Sequence, residues 1–445
     1  MDKTETKIID EIDKRKDELV DYLKKLISFP SENEGVPGTG RETEIQEFLY
    51  EDLTSSGFTK VNKVSCRDSR KRPNIIAILK GLVPEDPLML NAHADVVPVK
   101  SEEMKRWLTD PYKAVVKKGS VYGRGASDCK GGLASIIFAA KILKDLEINL
   151  KKDLYILSSV GEESQEGETI GAALVAENGY RPRLAVIAEP SNCEIHVESP
   201  GVLFFELKIQ GKEAHTSTRN QILFPQRYGL ASGQKVGVDA IAKAIPFLRL
   251  MQNIEMENCH KWKTPTLSGG GYPIPSDEQG LGLFTITPTK MQAGEYIGAV
   301  CGHVSIIFVV WYPNWLSADE VAGQIKDKVM NLAKTDDWLI ENPPEFIYPT
   351  LQNWGPFKNE VKDPGVNLLG NTLEDIQEKP AIYSAFRAVC DGTFLQQRGI
   401  PSVVFGPGGL DMSVHGPNEF VKIDELIKCA KTYAVFAYRW CSDTY

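Results

Sequence analysis

A chain of 445 residues is longer than one ordinary hydrophobic core supports, so length alone predicts two domains. Hydrophobic content of 42% and charged content of 25% are those of a globular protein, and a net charge of −9 excludes nucleic acid, whose phosphates it would repel. The longest strongly apolar stretch, Ile306 to Tyr312, is strand-length, and the opening MDKTETKIIDEIDKRKDE is charged throughout, so neither a membrane span nor a signal peptide is expected.

In chain order, Ile8, Ile9, Ile12, Leu19, Leu23 and Ile27 recur at helical spacing and predict one amphipathic helix over 5–27. A second helix is expected over 40–56, ending near Gly57. Strands and helices then alternate: strands at Asn74–Lys80 and Leu88–Ala92, a helix from Gly131 to Asp145, a strand at Asp153–Val160, a helix near 169–179 and a strand at Leu184–Ile187. Short apolar strands separated by helices predict an α/β sheet covered on both faces. The pattern changes at Ser199–Gly201. Strand 202–210, helix 237–252, strands 281–287 and 302–310, helix 317–334 and strand 345–349 give the order β-α-β-β-α-β of a small ferredoxin-like domain. The Gly/Pro-rich stretch Thr264–Gly282 reads as a surface loop. Beyond residue 350 the α/β pattern resumes with a helix near 384–398, the strand Pro401–Phe405 and a closing helix over 423–440. One domain is therefore inserted into another. The 8 cysteines show no CxxC pair and no disulfide framework, which fits reduced thiols in a cytoplasmic protein.

Acids and histidines gather where apolar strands end. LMLNAHADVVPV closes on His93 and Asp95, which share one strand face, so His93 can hold a metal while Asp95 orients the site. In YGRGASDCKGGLAS, Asp128 sits in a glycine-rich turn just before a helix. Its two oxygens suit a bridge between cations, a plain helix cap is the simpler alternative, and the GxxxxGK[ST] order of a phosphate loop is missing. Glu162 and Glu163 follow a strand through Gly161, so one can face metals and the other substrate; the nearby Glu166 and Glu168 favour solvated loop acids instead. Glu189 ends the strand RLAVIAEPS. His415 lies after a strand and a glycine-rich turn, and His215 lies in GKEAHTSTRN of the inserted domain. The other histidines, His196, His260 and His303, lack such settings. Together these residues form the inventory of a two-metal hydrolase: imidazoles for two metals, a bridging carboxylate, terminal carboxylates and a glutamate left to move a proton.

HADVVP, GRGASDCKGG, GEES, AEPS, AHTS and HGPNEF, in this order, resemble the di-metal aminoacylase family of acetylornithine deacetylase, succinyl-diaminopimelate desuccinylase, carboxypeptidase G and several dipeptidases, over residues 20–440. The resemblance implies a zinc-peptidase-like α/β catalytic domain, 1–198 and 351–445, with a mixed sheet flanked by helices. It also implies an inserted ferredoxin-like α+β lid and dimerisation domain, 199–350. By it, His93, Asp128 and Glu189 hold one divalent metal and Asp128, Glu163 and His415 the other. Glu162 is then the general base, Asp95 the partner of His93, and His215 an oxyanion donor reaching a neighbouring subunit's site in a homodimer. The metals are expected to be zinc, with cobalt or manganese as alternatives. Cys129 reads as buried and non-catalytic.

Two departures bear on the substrate. Where relatives carry an arginine and an asparagine for a free carboxylate, this chain aligns Trp311 and Gly298, and the segment between His215 and Gly237 is long. The resulting expectation is a deacylase releasing a small acylated amino acid or similar metabolite, with a dipeptidase or carboxypeptidase as the alternative. A non-catalytic binding protein is disfavoured by the intact Glu162 and full ligand set.

Overall fold

Both faces of the strand Asn74–Leu79 are buried along its whole length, as a strand covered by helices on each side must be. It belongs to a nine-stranded mixed sheet. From one edge the order is Lys60–Val64, Asn74–Leu79, Lys152–Ser159, Val83–His93, Leu184–Ile187, Ser402–Val404, Ile195–Ser199 and Phe357–Lys358, with Tyr383–Ala385 also paired to Ile195–Ser199. The four central strands, Lys152–Ser159, Val83–His93, Leu184–Ile187 and Ser402–Val404, run parallel. Register puts His93 beside Ser159, and Asn91 and Val404 both beside Ile187, so their carboxyl ends finish level with one another.

The computed structural model describes all residues except 68–70, 165, 228, 263–282 and 443–445, so the expected loop Thr264–Gly282 lies outside the described residues. The chain divides into a unit of Met1–Ser199 with Phe357–Tyr445 and a second unit of Pro200–Pro356. In the first, the helix Lys130–Asp145 is apolar nearly all round because it packs against the sheet on one side and the closing helix Ile423–Cys441 on the other. The second unit holds a four-stranded antiparallel sheet ordered Thr285–Ala293, His303–Tyr312, Gly201–Gln210, Glu345–Ile347. Helices Ala240–Lys261 and Ala318–Ala333 supply the other half of its core. This is the ferredoxin-like arrangement expected from the element order.

Two local expectations are corrected, and one helix is added. The opening segment is two helices, Lys3–Lys14 and Lys16–Ile27, separated at Arg15, whose backbone leaves helical geometry while its guanidinium reaches Glu18 and Asp145. The apolar spacing runs on through the break, so periodicity could not show it. The region read as one helix over 384–398 is the strand Tyr383–Ala385 followed by the helix Asp391–Gln397, because pairing with Ile195–Ser199 claims its first part. A helix at Pro364–Gln377 was not anticipated; Asp363 caps it and Pro364 occupies its first turn, so the Asp-Pro-Gly run that resembles a turn is a helix start.

Candidate metal centre

The exits from the parallel strands carry the polar residues. His93 is the last residue of its strand, Glu162 and Glu163 follow Lys152–Ser159 through Gly161 (φ +74°), and Glu189 follows Leu184–Ile187. His415 lies beyond Ser402–Val404. His415 and Ser413 sit in the left-handed region at φ +60° and +58°, a conformation that residues with a Cβ seldom adopt. The surrounding structure holds that loop: Asn418 takes the Leu108 backbone N–H at 2.7 Å and donates to the Arg106 carbonyl.

These exits bring the expected ligands together. Nε2 of His93 lies 3.0 Å from Oδ1 of Asp128 and 3.6 Å from Oε1 of Glu189. Nε2 of His415 lies 3.3 Å from Oδ2 of Asp128 and 3.2 Å from Oε1 of Glu163. Asp128 thus turns one carboxylate oxygen toward each imidazole, and two donor groups, each with its own imidazole and its own terminal carboxylate, share it.

The electrostatics are those of a site built for added positive charge. Burial pushes the Glu189 carboxyl up to about 7. It also pushes Glu163 up, and the negative Asp128 adds to that. Burial works against a charged His93, but Glu189, Cys129, Asp128 and Asp95 around it overcome this and hold its imidazole well above the usual range. His415 is raised to about 11, chiefly by Glu163. Glu189 keeps Oε1 buried without a hydrogen bond, as does Asp95 with Oδ1. A crowd of buried carboxylates with mixed N and O donors and orphaned oxygens fits divalent cations.

Asp95 meets His93 through both its backbone and its carboxylate. Nδ1 of His93 lies 3.0 Å from the Asp95 backbone carbonyl and 3.5 Å from its Oδ1. The other carboxylate oxygen accepts from the Glu163 backbone N–H at 2.9 Å and from Asn33 Nδ2 at 3.1 Å. Glu162 is half-buried beside this cluster. Burial lifts its carboxyl well up, with His93 opposing and Glu189, Glu163 and Asp391 adding to the rise. Cys129 is fully buried, and its thiol donates to the Ala188 carbonyl.

Sequence reasoning missed the supports. Glu419, 1% exposed, accepts from the backbone N–H groups of Gly125, Ser127 and Asp128 and pairs with Arg124 at 2.8 Å. It stands inside HGPNEF, so its place in that motif was the available signal. Glu166, which resembled a solvated loop acid, is buried and paired with Arg72.

His215 belongs to the second unit, in the exposed two-residue strand Ala214–His215 paired with Ala299–Val300. Its Nδ1 lies 2.8 Å from the Ser217 hydroxyl and 3.2 Å from the Ser217 backbone nitrogen. Trp311 lies in the strand His303–Tyr312, opposite Val202 and Thr285. A Cβ at Gly298 would come within 2.6 Å of the Tyr296 ring.

Residues 89–439 match the sequence model of peptidase family M20/M25/M40. The chain is similar to N-formyl-4-amino-5-aminomethyl-2-methylpyrimidine deformylase of Halalkalibacterium halodurans, 29% identical over 97% of this chain and 96% of that one. It is likewise similar to the deformylase of that name from Bacillus subtilis, at 30% identity over 97% and 96%. In structure it is similar to a dinuclear metal-binding peptidase of Bacillus subtilis, with a TM-score of 0.64, 16% identity, and 96% and 98% of the two chains covered.

Proposed function

The chain belongs to peptidase family M20/M25/M40 and is a metal-dependent hydrolase of amide bonds, and on that premise we propose that it is a deacylase of a small N-acyl amine whose amine part lacks a free carboxylate. One observation carries the site assignment: Asp128 directs its two oxygens at two different imidazoles, His93 and His415. In this reading His93, Asp128 and Glu189 hold one cation and Asp128, Glu163 and His415 the other. Zinc is the preferred ion for such mixed imidazole and carboxylate ligation, with cobalt or manganese as alternatives.

Two bound cations would supply Lewis acidity toward the amide carbonyl and bring the pKa of a water from about 15.7 toward about 7. Glu162, beside Glu163 but outside both ligand sets, takes the proton of the attacking water. It returns that proton to the amide nitrogen as the C–N bond breaks, leaving a carboxylic acid and an amine. In this reading His215 donates to the carbonyl oxygen as that atom gains charge. By the family resemblance it does so for a neighbouring subunit, through a homodimer formed by residues 199–350.

The substrate assignment draws on the two deformylase relatives and on Trp311 and Gly298, which replace the groups a carboxylate would seek. The Tyr296 ring takes the space that a side chain at position 298 would need. No helix among the described residues is long and apolar enough to cross a membrane. The irregular cysteine spacing, without a CxxC pair, supports a reducing, cytoplasmic setting. The test is turnover by the zinc-loaded enzyme of N-formyl and N-acetyl amines, with and without a carboxylate, against a dipeptide panel. Carboxylate-free N-formyl amines are expected to show the highest kcat/KM. Preference for dipeptides would overturn the reading in favour of a peptidase.

A further inference from the structure

Arg72 is 7% exposed and faces two buried glutamates. It binds Glu42 through two parallel bonds, Nε to Oε2 at 2.7 Å and Nη2 to Oε1 at 2.8 Å, and reaches Oε2 of Glu166 through Nη1 at 2.9 Å. Glu42 itself is fully buried. A side chain at Gly40 would collide with this guanidinium, so the chain is cut back to glycine where the cation passes.

Each glutamate then grips the segment that carries the site. Oε1 of Glu42 accepts from the Gly161 backbone N–H at 3.1 Å, one residue before Glu162. Glu166 bonds its own backbone N–H to the Gly161 carbonyl at 3.0 Å, and its Oε2 accepts from Ser164 at 2.8 Å. Its Oε1 accepts from the Gly38 backbone N–H at 2.9 Å, which draws in the loop that also sends Asn33 to Asp95. From these contacts we infer that Arg72 is a positioning residue: by clamping Glu42 and Glu166 it holds both ends of the turn that presents Glu162 and Glu163.

A rigid planar fork with several donors is what this arrangement needs, since it must satisfy two carboxylates at fixed angles. Without the cation, two buried carboxylates face one another, and the turn shifts to reach water. Misplacement by about 1 Å at a reacting group costs on the order of 100-fold in rate. The inference rests on the reading of Glu162 as base and Glu163 as ligand for its catalytic consequence, but not for its structural one.

The test pairs Arg72→Met with the milder Glu166→Gln, each compared with the parent in steady-state kinetics and in amide hydrogen exchange of the metal-stripped protein. Arg72→Met is expected to lower kcat by roughly 100-fold with KM within about 3-fold, and Glu166→Gln by roughly 10-fold. Exchange at Gly161 and Glu163 should quicken at least about 10-fold in both, while Leu154–Ser158 on the preceding strand keeps the parental rate. A folded Arg72→Met enzyme with kcat within about twofold of the parent would overturn the inference, and so would lost kcat with unchanged exchange at Gly161 and Glu163. If Arg72→Met fails to fold, Glu166→Gln decides by the same two readouts. A parent that hydrolyses no N-acyl amine or dipeptide refutes the proposed function separately, because the exchange comparison needs no turnover.

Discussion

The backbone N–H of Glu163 donates to Oδ2 of Asp95 at 2.9 Å. Asp95 also sets its own carbonyl 3.0 Å from Nδ1 of His93, so one residue braces donors of both halves of the centre. In a site whose ligands come from separate strand ends, such a link fixes the spacing of the halves without lying between them.

Glu162→Ala is expected to leave both metals bound while lowering kcat by roughly 100-fold or more, the scale of a lost general base. Metal content and kcat measured on the same preparation check this. Metal stoichiometry near zero would mean that Glu162 and Glu163 have exchanged roles.

Asp128→Ala should release or scramble both cations, since each of its oxygens faces a different imidazole. His415→Ala should weaken only the cation shared with Glu163. Metal analysis after dialysis separates the two; equal losses would count against a bridging Asp128.

Glu419→Gln replaces a carboxylate that gathers three backbone N–H groups and Arg124 by an amide whose NH2 end can accept none of them. Breaking a buried pair of this kind costs about 3 kcal/mol. Because the Asp128 backbone is among the groups held, metal retention should fall along with Tm. Calorimetry and metal titration of the variant test this, and a drop in Tm with parental metal affinity would confine Glu419 to stability.

Metal affinity should rise with pH across the neighbourhood of 7. Burial lifts Glu189 to about 7 and carboxylates lift His415 to about 11, so protons compete with cations for these donors and are displaced as pH increases. Competition titrations against a chelator at pH 6 and 8, conditions chosen about either side of neutrality, provide the check. Equal affinity at both would show that these groups do not bind metal.

Mixing inactive His215→Ala and Glu162→Ala chains tests the subunit arrangement. A mixed dimer would contain one site with an intact Glu162 and an intact partner His215, and part of the activity should return. Verified heterodimers as inactive as either parent would place His215 within its own subunit or outside the reaction.

The strand ends that carry His93, Glu163 and Glu189 were legible because each follows a short apolar run whose length and composition mark a buried strand. The ferredoxin-like order was legible for the same reason, element by element. The break at Arg15 was not, since apolar spacing continues through it and a side-chain ion pair with Asp145 attends it. The helix start at Asp363–Pro364 was not legible, because Asp-Pro-Gly serves turns and helix caps alike.

What the sequence determined by itself is the set of reactive groups and the elements that end at them, because hydrophobic period and turn chemistry act over a few neighbouring residues. Only the tertiary structure decided which groups meet. Glu419 lies 291 residues from the Asp128 it supports, and Arg72 lies 94 from Glu166. No local spacing encodes such pairs. They are selected when strand register brings distant ends together, where a buried charge must find a partner among whatever lies within reach.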